Sequence, residues 1–253
     1  MTPTVCAAAG KERVSLGNDI VTGTASRLQV LLLDRSSFSV GARARIRVDR
    51  FVYDPGRNSS AVGLRVMRGA FRFMSGKATR NAPGQSGIRT PIASIGIRGT
   101  IVEGAVGEEA LRIMAEQKNV PKDYAIDPEN ASLVLLRGPG AGTAGGEIPG
   151  AIEVTSGGQT AVIDQPGMAA FVPAEGHAPI VFRLWNCGLI LLTNLLRNPG
   201  FPLEQAQDPM PANPVVGRWG RFDQPARQMP QWVPAGGPPI NPPLPPVMLL
   251  PRI

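Results

Sequence analysis

Nucleophilic catalysis needs a base beside its nucleophile, and this sequence offers few bases. The single histidine, His177, lies in the turn-like stretch EGHAP, and any Ser-His-Asp or Cys-His arrangement would have to use it. No G-x-S-x-G elbow is present. A lone histidine between glycine and proline is more typical of a solvent-exposed turn than of a general base. We therefore predict that the protein is not an enzyme.

Two stretches resemble phosphate-binding loops only in part. In MSGKAT (74–79), Phe71 stands where the first glycine of a P-loop would lie, and Ala78 replaces the Ser/Thr. The glycines of 138–146 precede EIPGAIEV, which has the pattern of a strand, whereas a dinucleotide fingerprint opens a helix. We predict no cofactor.

The two cysteines, Cys6 and Cys187, lie far apart in the sequence. One disulfide is arithmetically possible, but two independent thiols are the favoured interpretation. No His, Cys and carboxylate cluster has the spacing of metal ligands, so no metal site is predicted.

Arginine dominates the positive charge. The net charge is +7, and only four of the basic residues are lysines. A candidate interaction face comprises Arg43, Arg45, Arg47, Arg65 and Arg72, extended by Arg50 and Arg68. Such a face could bind anions, or it could be a solvated sheet surface whose long side chains cover apolar area. No aromatic residues are interleaved with the arginines, so we favour the solvated face and expect no nucleic acid.

Short strands must carry these arginines. In VGARARIRVD, Val40 to Val48 alternate with Arg43, Arg45, Arg47 and Asp49, which is the pattern of a half-buried strand. LQVLLL (28–33) predicts a strand covered on both faces, and 63–76 predicts either one strand or a bent pair of strands, with a break at Gly69. Helices are predicted over 107–119 and 186–197. Further strands are predicted at 132–136 and over the segments AIEVTS, QTAVID, MAAFVP and PIVFRL.

Both ends of the chain differ from this β-rich region. Fifteen prolines in residues 198–253 predict a disordered, extended tail, in which Trp219, Phe222 and Trp232 could dock on a partner. The apolar stretch 180–196 is short and contains Arg183, so no transmembrane span is predicted. Residues 1–10 lack the pattern of an export signal, and we expect that signal to lie upstream.

The order of several motifs resembles the FecR domain. DIVTG (19–23), SRLQVLLLD (26–34), VDRFVYDP (48–55), RGAFRFMSGK (68–77) and RTPIASIGIRGT (89–100) follow one another at its spacing. The resemblance is dense from Gly17 to Val102 and looser through 150–173. It departs from the family at Asp34-Arg35-Ser36, where the family prefers a glycine that tolerates positive φ.

The resemblance implies a mainly β fold of short strands, in a sandwich-like or solenoid-like arrangement. The predicted organisation is a FecR-like core at 11–105, a helical insertion at 106–130, a β continuation of the same domain at 131–185, a helix at 186–197 and the proline-rich tail at 198–253.

The resemblance also implies a non-enzymatic, periplasmic or otherwise extracytoplasmic recognition or signalling module that acts through protein–protein contacts. The founding members relay a signal from an iron-siderophore transporter to a sigma factor, using an anti-sigma region and a membrane span that are not visible here. The alternative is a cell-envelope structural protein or one that binds an anionic polysaccharide. The expected partner is a protein of the cell envelope, with an anionic glycan as the second possibility, and the sequence leaves the oligomeric state open.

The motif TPIASIGIRGT is expected to be structural. Its hallmark residues are Thr90, Pro91, Gly96, Arg98, Gly99 and Thr100. The small residues predict a strand packed closely between two neighbours. If Arg98 is buried there, it needs a carboxylate or carbonyl groups as partners, and Asp34 and Asp49 are the candidate carboxylates.

Overall fold

A computed structural model describes residues 13–118, 120, 123–139 and 150–197. These residues form strands and helices with the following bounds: β1 (Asp19–Val21), β2 (Leu28–Leu31), β3 (Ser37–Val40), β4 (Arg45–Asp54), β5 (Ser59–Met74), α1 (Lys77–Asn81), β6 (Ser86–Arg89), β7 (Ser94–Arg98), β8 (Ile101–Val106), α2 (Glu108–Ala115), β9 (Ser132–Gly138), β10 (Ala151–Ser156), β11 (Gln159–Ile163), β12 (Met168–Val172), β13 (Ile180–Arg183) and α3 (Asn186–Leu196). The fold is mainly β, as the sequence predicts.

The strands form two stacked sheets that share β5. Sheet A has the order β1-β4-β5-β6-β7-β10-β11, and sheet B has the order β2-β3-β5-β8-β9-β12-β13. Within these sheets, β5 and β6 run parallel and the other paired strands are antiparallel. Of the two arrangements expected, the described residues adopt the sandwich.

Strand β5 crosses from one sheet to the other at Gly69. Its first part pairs with β4 and β6, and its last part pairs with β3 and β8. Gly69 has φ +85°, and a Cβ there would lie 2.4 Å from that of Ala44, so only glycine fits the bend. The predicted break at Gly69 is therefore a change of sheet within one strand.

Two apolar clusters hold the layers together. The first lies between the sheets and includes Phe71, Phe73, Ile95 and Ile97, all nearly without exposed surface. The second lies between the other face of sheet B and helices α2 and α3, with Phe171 at its centre. The described residues thus form a sandwich with a helical layer, α2 and α3, on the outer face of sheet B, and within the same ranges these two helices leave the outer face of sheet A uncovered.

Several local predictions need correction. Residue Arg43 lies in the turn before β4 with φ +52°, so the strand begins later than the alternation suggests. The predicted strand LQVLLL is not covered on both faces, because Leu31 and Leu33 are 42% and 73% exposed. Helix α2 is shorter than the predicted 107–119, and the sequence analysis missed α1 entirely.

Some predictions fall outside the described residues. They include those on Cys6, on most of the glycine-rich loop (140–149) and on the proline-rich tail (198–253). Cys187 is a free, exposed thiol. Across the described ranges, no helix combines the length and apolar character needed to cross a membrane.

Candidate functional site

The outer face of sheet A carries an unbroken row of polar side chains. Strand pairing aligns one residue from each of the seven strands, in the order Asp19, Arg47, Arg65, Arg89, Ser94, Thr155 and Thr160. Because side chains alternate along a strand and paired residues point the same way, the whole row faces outward. Arg45 and Arg68 form a second, shorter row beside it. We call this surface the arginine face.

Three carboxylates balance part of its charge. Asp19 contacts Arg47 at 2.6 Å and also pairs with Arg45, and Asp49 contacts Arg65 at 2.9 Å. Across the sheet, Glu153 on β10 pairs with Arg98 on β7. Each of these pairs is partly exposed, so each contributes little to stability by itself.

The Arg47 guanidinium donates a hydrogen bond to Asp19. This hydrogen bond is the main reason that the pKa of the Asp19 carboxyl lies at about 2, against an ordinary value of 3.8. The same contact raises the pKa of Arg47. A carboxyl whose pKa is lowered by folding stabilises the protein above its unfolded pKa and loses that contribution as the pH falls through the folded value.

Asp19→Asn is therefore expected to destabilise the protein at pH 7, by on the order of 1 kcal/mol, and to have a vanishing effect near pH 2. Urea unfolding of wild type and variant between pH 7 and pH 2 measures this convergence. Asp164→Asn is the control, since Asp164 is exposed and has no ion pair among the described residues. Parallel stability curves for Asp19→Asn and wild type would contradict the assignment.

Three arginines of the face have no carboxylate partner in the described part of the chain. They are Arg50, Arg68 and Arg89, and all three are exposed. Together with Arg45, Arg47, Arg65 and Arg98, they outnumber the three carboxylates Asp19, Asp49 and Glu153. The arginine face therefore has a surplus of positive charge that the described residues leave uncompensated.

A groove crosses the strands within this face. Its floor is a row of three paired glycines, Gly63 on β5, Gly87 on β6 and Gly96 on β7. Arg50 lies at one end of the row and Glu153 at the other. The space above the central strands has a volume of about 400 Å³, and its lining also includes Gln85 and Arg89. We call it the cross-strand groove.

The structure brings together some of the predicted interaction residues and separates others. Arg45, Arg47 and Arg65 lie side by side on the arginine face. Arg43 lies in the preceding turn, 3.8 Å from Glu109 of α2. Arg72 is buried on the helix-covered face of sheet B, where it contacts Glu103 at 2.7 Å, so it is not part of an exposed face. Sequence reasoning missed Arg89 and Arg98 as members, although the alternation Ile95, Gly96, Ile97, Arg98 marks the outward side of β7.

The motif TPIASIGIRGT forms the turn before β7 and β7 itself. Thr90 closes the turn by accepting a hydrogen bond from the Ala93 amide at 3.0 Å, with Pro91 exposed at its tip. Thr100 donates to the Pro139 carbonyl oxygen, and Gly99 has φ +60°. Strand β7 lies between β6 and β10, so its placement between two neighbours matches the expectation.

Two details of that motif differ from expectation. Arg98 is about half exposed and pairs with Glu153, not with Asp34 or Asp49. Gly96 is not required by tight packing, because a Cβ there would meet Glu153 at an ordinary 3.6 Å.

The segment that resembles a phosphate loop has a structural role. Ser36 and Thr79 both donate hydrogen bonds to the buried Asp34 carboxylate, and the Gly76 amide donates to the Ser36 hydroxyl. A Cβ on Gly76 would lie 2.4 Å from the Asp34 carbonyl oxygen. The sequence SGKAT therefore clamps α1 to the turn between β2 and β3.

Metal chemistry finds no support within the described ranges, where no three His, Cys, Asp or Glu side chains come close enough to hold an ion. His177, in the turn before β13, is half-buried. The predicted absence of catalysis and of cofactors remains a prediction.

Comparison with known proteins gives a family match for part of the chain. Residues 18–117 match the family FecR protein, so the chain contains a FecR domain over this stretch, which is less than half of its length. The search of curated proteins gave no match.

Two crystal structures of a candidate anti-sigma factor from Parabacteroides distasonis ATCC 8503 resemble the chain. The identities are 12% and 14%, with a TM-score of 0.40 for each. The alignments cover 66% of this chain and 59% of that protein's chain, so the similarity extends over less than two thirds of its length.

Proposed function

We propose that the protein is a non-enzymatic, extracytoplasmic recognition module that uses the arginine face to bind a partner protein of the cell envelope. The extracytoplasmic setting and the signalling role rest on the FecR domain at residues 18–117. The choice of surface rests on the charge distribution of sheet A.

The uncompensated arginines are the observation that carries this proposal. Arg50, Arg68 and Arg89 sit on a continuous sheet surface without a carboxylate partner in the described residues. Arginine is enriched at protein interfaces because its planar guanidinium can bind carboxylates through two hydrogen bonds and can also stack on flat groups. A surface with this surplus favours an acidic partner and speeds the encounter with it.

An anionic polysaccharide is the alternative partner, because sulfate or uronate groups would meet the same guanidinium groups. No aromatic residue lies in the polar row across sheet A, so the face offers no flat ring on which a sugar could stack. We therefore prefer the protein partner and treat glycan binding as an outcome that the experiment must separate.

Replacing Arg50, Arg68 and Arg89 together by glutamine is expected to abolish partner binding and leave the fold intact. None of the three takes part in an ion pair among the described residues, so their loss should change the free energy of unfolding by less than about 1 kcal/mol. The immobilised protein, incubated with a cell-envelope extract at low and high salt, provides the measurement. The retained proteins and glycans are then quantified separately.

The matched control replaces Arg13, Arg57 and Arg112, which are exposed and lie off the arginine face. It carries the same net charge as the test variant, so non-specific charge effects cancel. We expect the control to retain envelope proteins like the wild type and the test variant to retain at least tenfold less, a loss of about 1.4 kcal/mol in binding. Equal retention by both variants contradicts the proposal, and a selective loss of glycan supports the alternative.

A further inference from the structure

The cross-strand groove lies within the arginine face and runs perpendicular to its strands. Its long axis follows the paired residues Arg50, Gly63, Gly87 and Gly96, which come from four neighbouring strands. Adjacent strands are about 4.8 Å apart, so the row extends for roughly 14 Å, enough for about four residues of an extended chain. One bank of the groove is formed by Arg89 and Ser94.

Packing within the sheet requires a glycine at Gly87 but not at Gly96. A Cβ on Gly87 would lie 2.8 Å from the Ile95 carbonyl oxygen, so a larger residue would push β6 and β7 apart. At Gly96 the nearest atoms to a Cβ lie at 3.6 Å, and its φ is not in the left-handed region, so the fold itself would accept a side chain there. The missing side chain at Gly96 matters instead for the depth of the groove.

The lining chemistry selects the kind of ligand. Arg50 and Arg89 line the groove and have no carboxylate partner in the described residues, whereas Asp49, also in the lining, is already paired with Arg65. The Glu153 carboxylate, whose Oε2 would lie 3.6 Å from a Cβ on Gly96, is likewise already paired, with Arg98. Among the described residues, no aromatic side chain lines the groove, which disfavours a sugar ring or a base that needs a stacking surface. The backbone groups of β5, β6 and β7 bind one another, so a ligand cannot add to the sheet as a strand at this point.

We propose that the cross-strand groove binds an extended acidic peptide segment, whose main chain lies over Gly63, Gly87 and Gly96 and whose carboxylates pair with Arg50 and Arg89. Bare glycine backbone permits close approach of the peptide, and the guanidinium groups supply charge-assisted hydrogen bonds. This inference rests on the proposed function and assigns the chemistry of the partner's binding segment.

Gly96→Val is expected to fill the groove without removing any charge. The probe is a fluorescein-labelled peptide of four Glu-Ser repeats, which presents its carboxylates on one side when extended, with the corresponding Gln-Ser peptide as the neutral reference. Fluorescence anisotropy at low salt measures its Kd for the full chain. Thr160→Val is the matched control, because it places a valine in the neighbouring outward row, on the edge strand β11 and outside the groove.

The expected result is a Kd that is at least about tenfold weaker for Gly96→Val, with wild-type affinity for Thr160→Val and no binding of the neutral peptide. Arg89→Gln provides a second test that adds no bulk, and it should weaken binding by a similar factor. The melting temperature of each variant confirms that it is folded.

Three results would overturn the inference. The first is wild-type affinity of Gly96→Val while the triple arginine variant loses the peptide, which would leave the arginine face as the binding surface and exclude the groove. The second is a lack of peptide binding by the wild type at low salt. The third is that the protein binds heparin but not the peptide, and that Gly96→Val weakens the heparin binding. This result would assign the groove to an anionic glycan.

Discussion

Glu103→Gln is expected to lower the free energy of unfolding by about 3 kcal/mol, although it removes neither a large side chain nor an exposed contact. Glu103 has no exposed surface and lies on the face of sheet B that the helices cover. Its Oε1 atom is 2.7 Å from Nε of Arg72 and 3.8 Å from Nε of Arg137, and both arginines are more than nine-tenths buried. One carboxylate thus faces two guanidinium groups in a region from which water is largely excluded.

The size of the effect follows from what the variant leaves behind. Glutamine has nearly the same shape as glutamate, so packing changes little, but the negative charge between the two arginines is lost. Among the described residues, Nε and Nη1 of Arg137 have no hydrogen-bond partner, so this part of the chain offers Arg137 no second acceptor to replace the carboxylate. A buried charge that loses its counter-charge costs several times more than the rupture of an exposed ion pair.

Glu153→Gln is the matched control for this prediction. It makes the same substitution in a cross-strand pair, but Glu153 and its partner Arg98 are 36% and 48% exposed. We expect a loss below about 1 kcal/mol for the control. Urea unfolding at pH 7 measures both variants, and similar losses would show that burial does not govern the cost at Glu103.

The position of Arg72 shows why sequence alone assigned it to the wrong surface. Before Gly69, the arginines of β5 face outward from sheet A, where no other layer among the described residues covers them. After Gly69 the strand belongs to sheet B, and the face that carries Arg72 is covered by helices from later parts of the chain. Alternation identifies which side chains share a face, but it cannot show whether a face meets solvent or a second layer.

Local sequence patterns could predict only some of the residues of the candidate site. Alternation predicted that Arg45, Arg47 and Arg65 share a face, because they lie on long strands with a clear period of two. Arg89 belongs to a strand of four residues that ends just before Pro91, and such a segment is too short to define a period. The glycine row depends on the register between β5, β6 and β7, which is set by pairing between strands and not by any one of them.

Both sheets contain strands that lie beyond the residues matched by the FecR family. The match to the FecR family ends at residue 117, but strands from the following region complete both sheets. Strand β10 pairs with β7 in sheet A, and β9 pairs with β8 in sheet B. Both sheets therefore continue, by direct strand pairing, beyond the matched residues.

Asp34→Ala is expected to destabilise the protein by about 3 kcal/mol, because it removes the acceptor at the centre of a buried polar network. The Asp34 carboxylate accepts hydrogen bonds from the Ser36 amide at 2.9 Å, the Ser36 hydroxyl at 2.7 Å and the Thr79 hydroxyl at 2.6 Å. All three residues are buried, so the donors released by the substitution cannot turn to water. The neighbouring Arg35 has φ +66°, a conformation that the network holds in place.

Asp54→Ala separates this effect from the ordinary role of an aspartate in a turn. Asp54 also precedes a turn and accepts a hydrogen bond from the Arg57 amide at 3.1 Å, but its side chain is 49% exposed. Its loss should cost less than about 1 kcal/mol, because water replaces the missing acceptor. Urea unfolding compares the two variants, and hydrogen exchange at the Gly76 amide reports whether α1 stays attached to the β2–β3 turn. Equal destabilisation with unchanged exchange at Gly76 would mean that Asp34 does not anchor α1, whereas a large loss with fast exchange would establish SGKAT as a structural clamp.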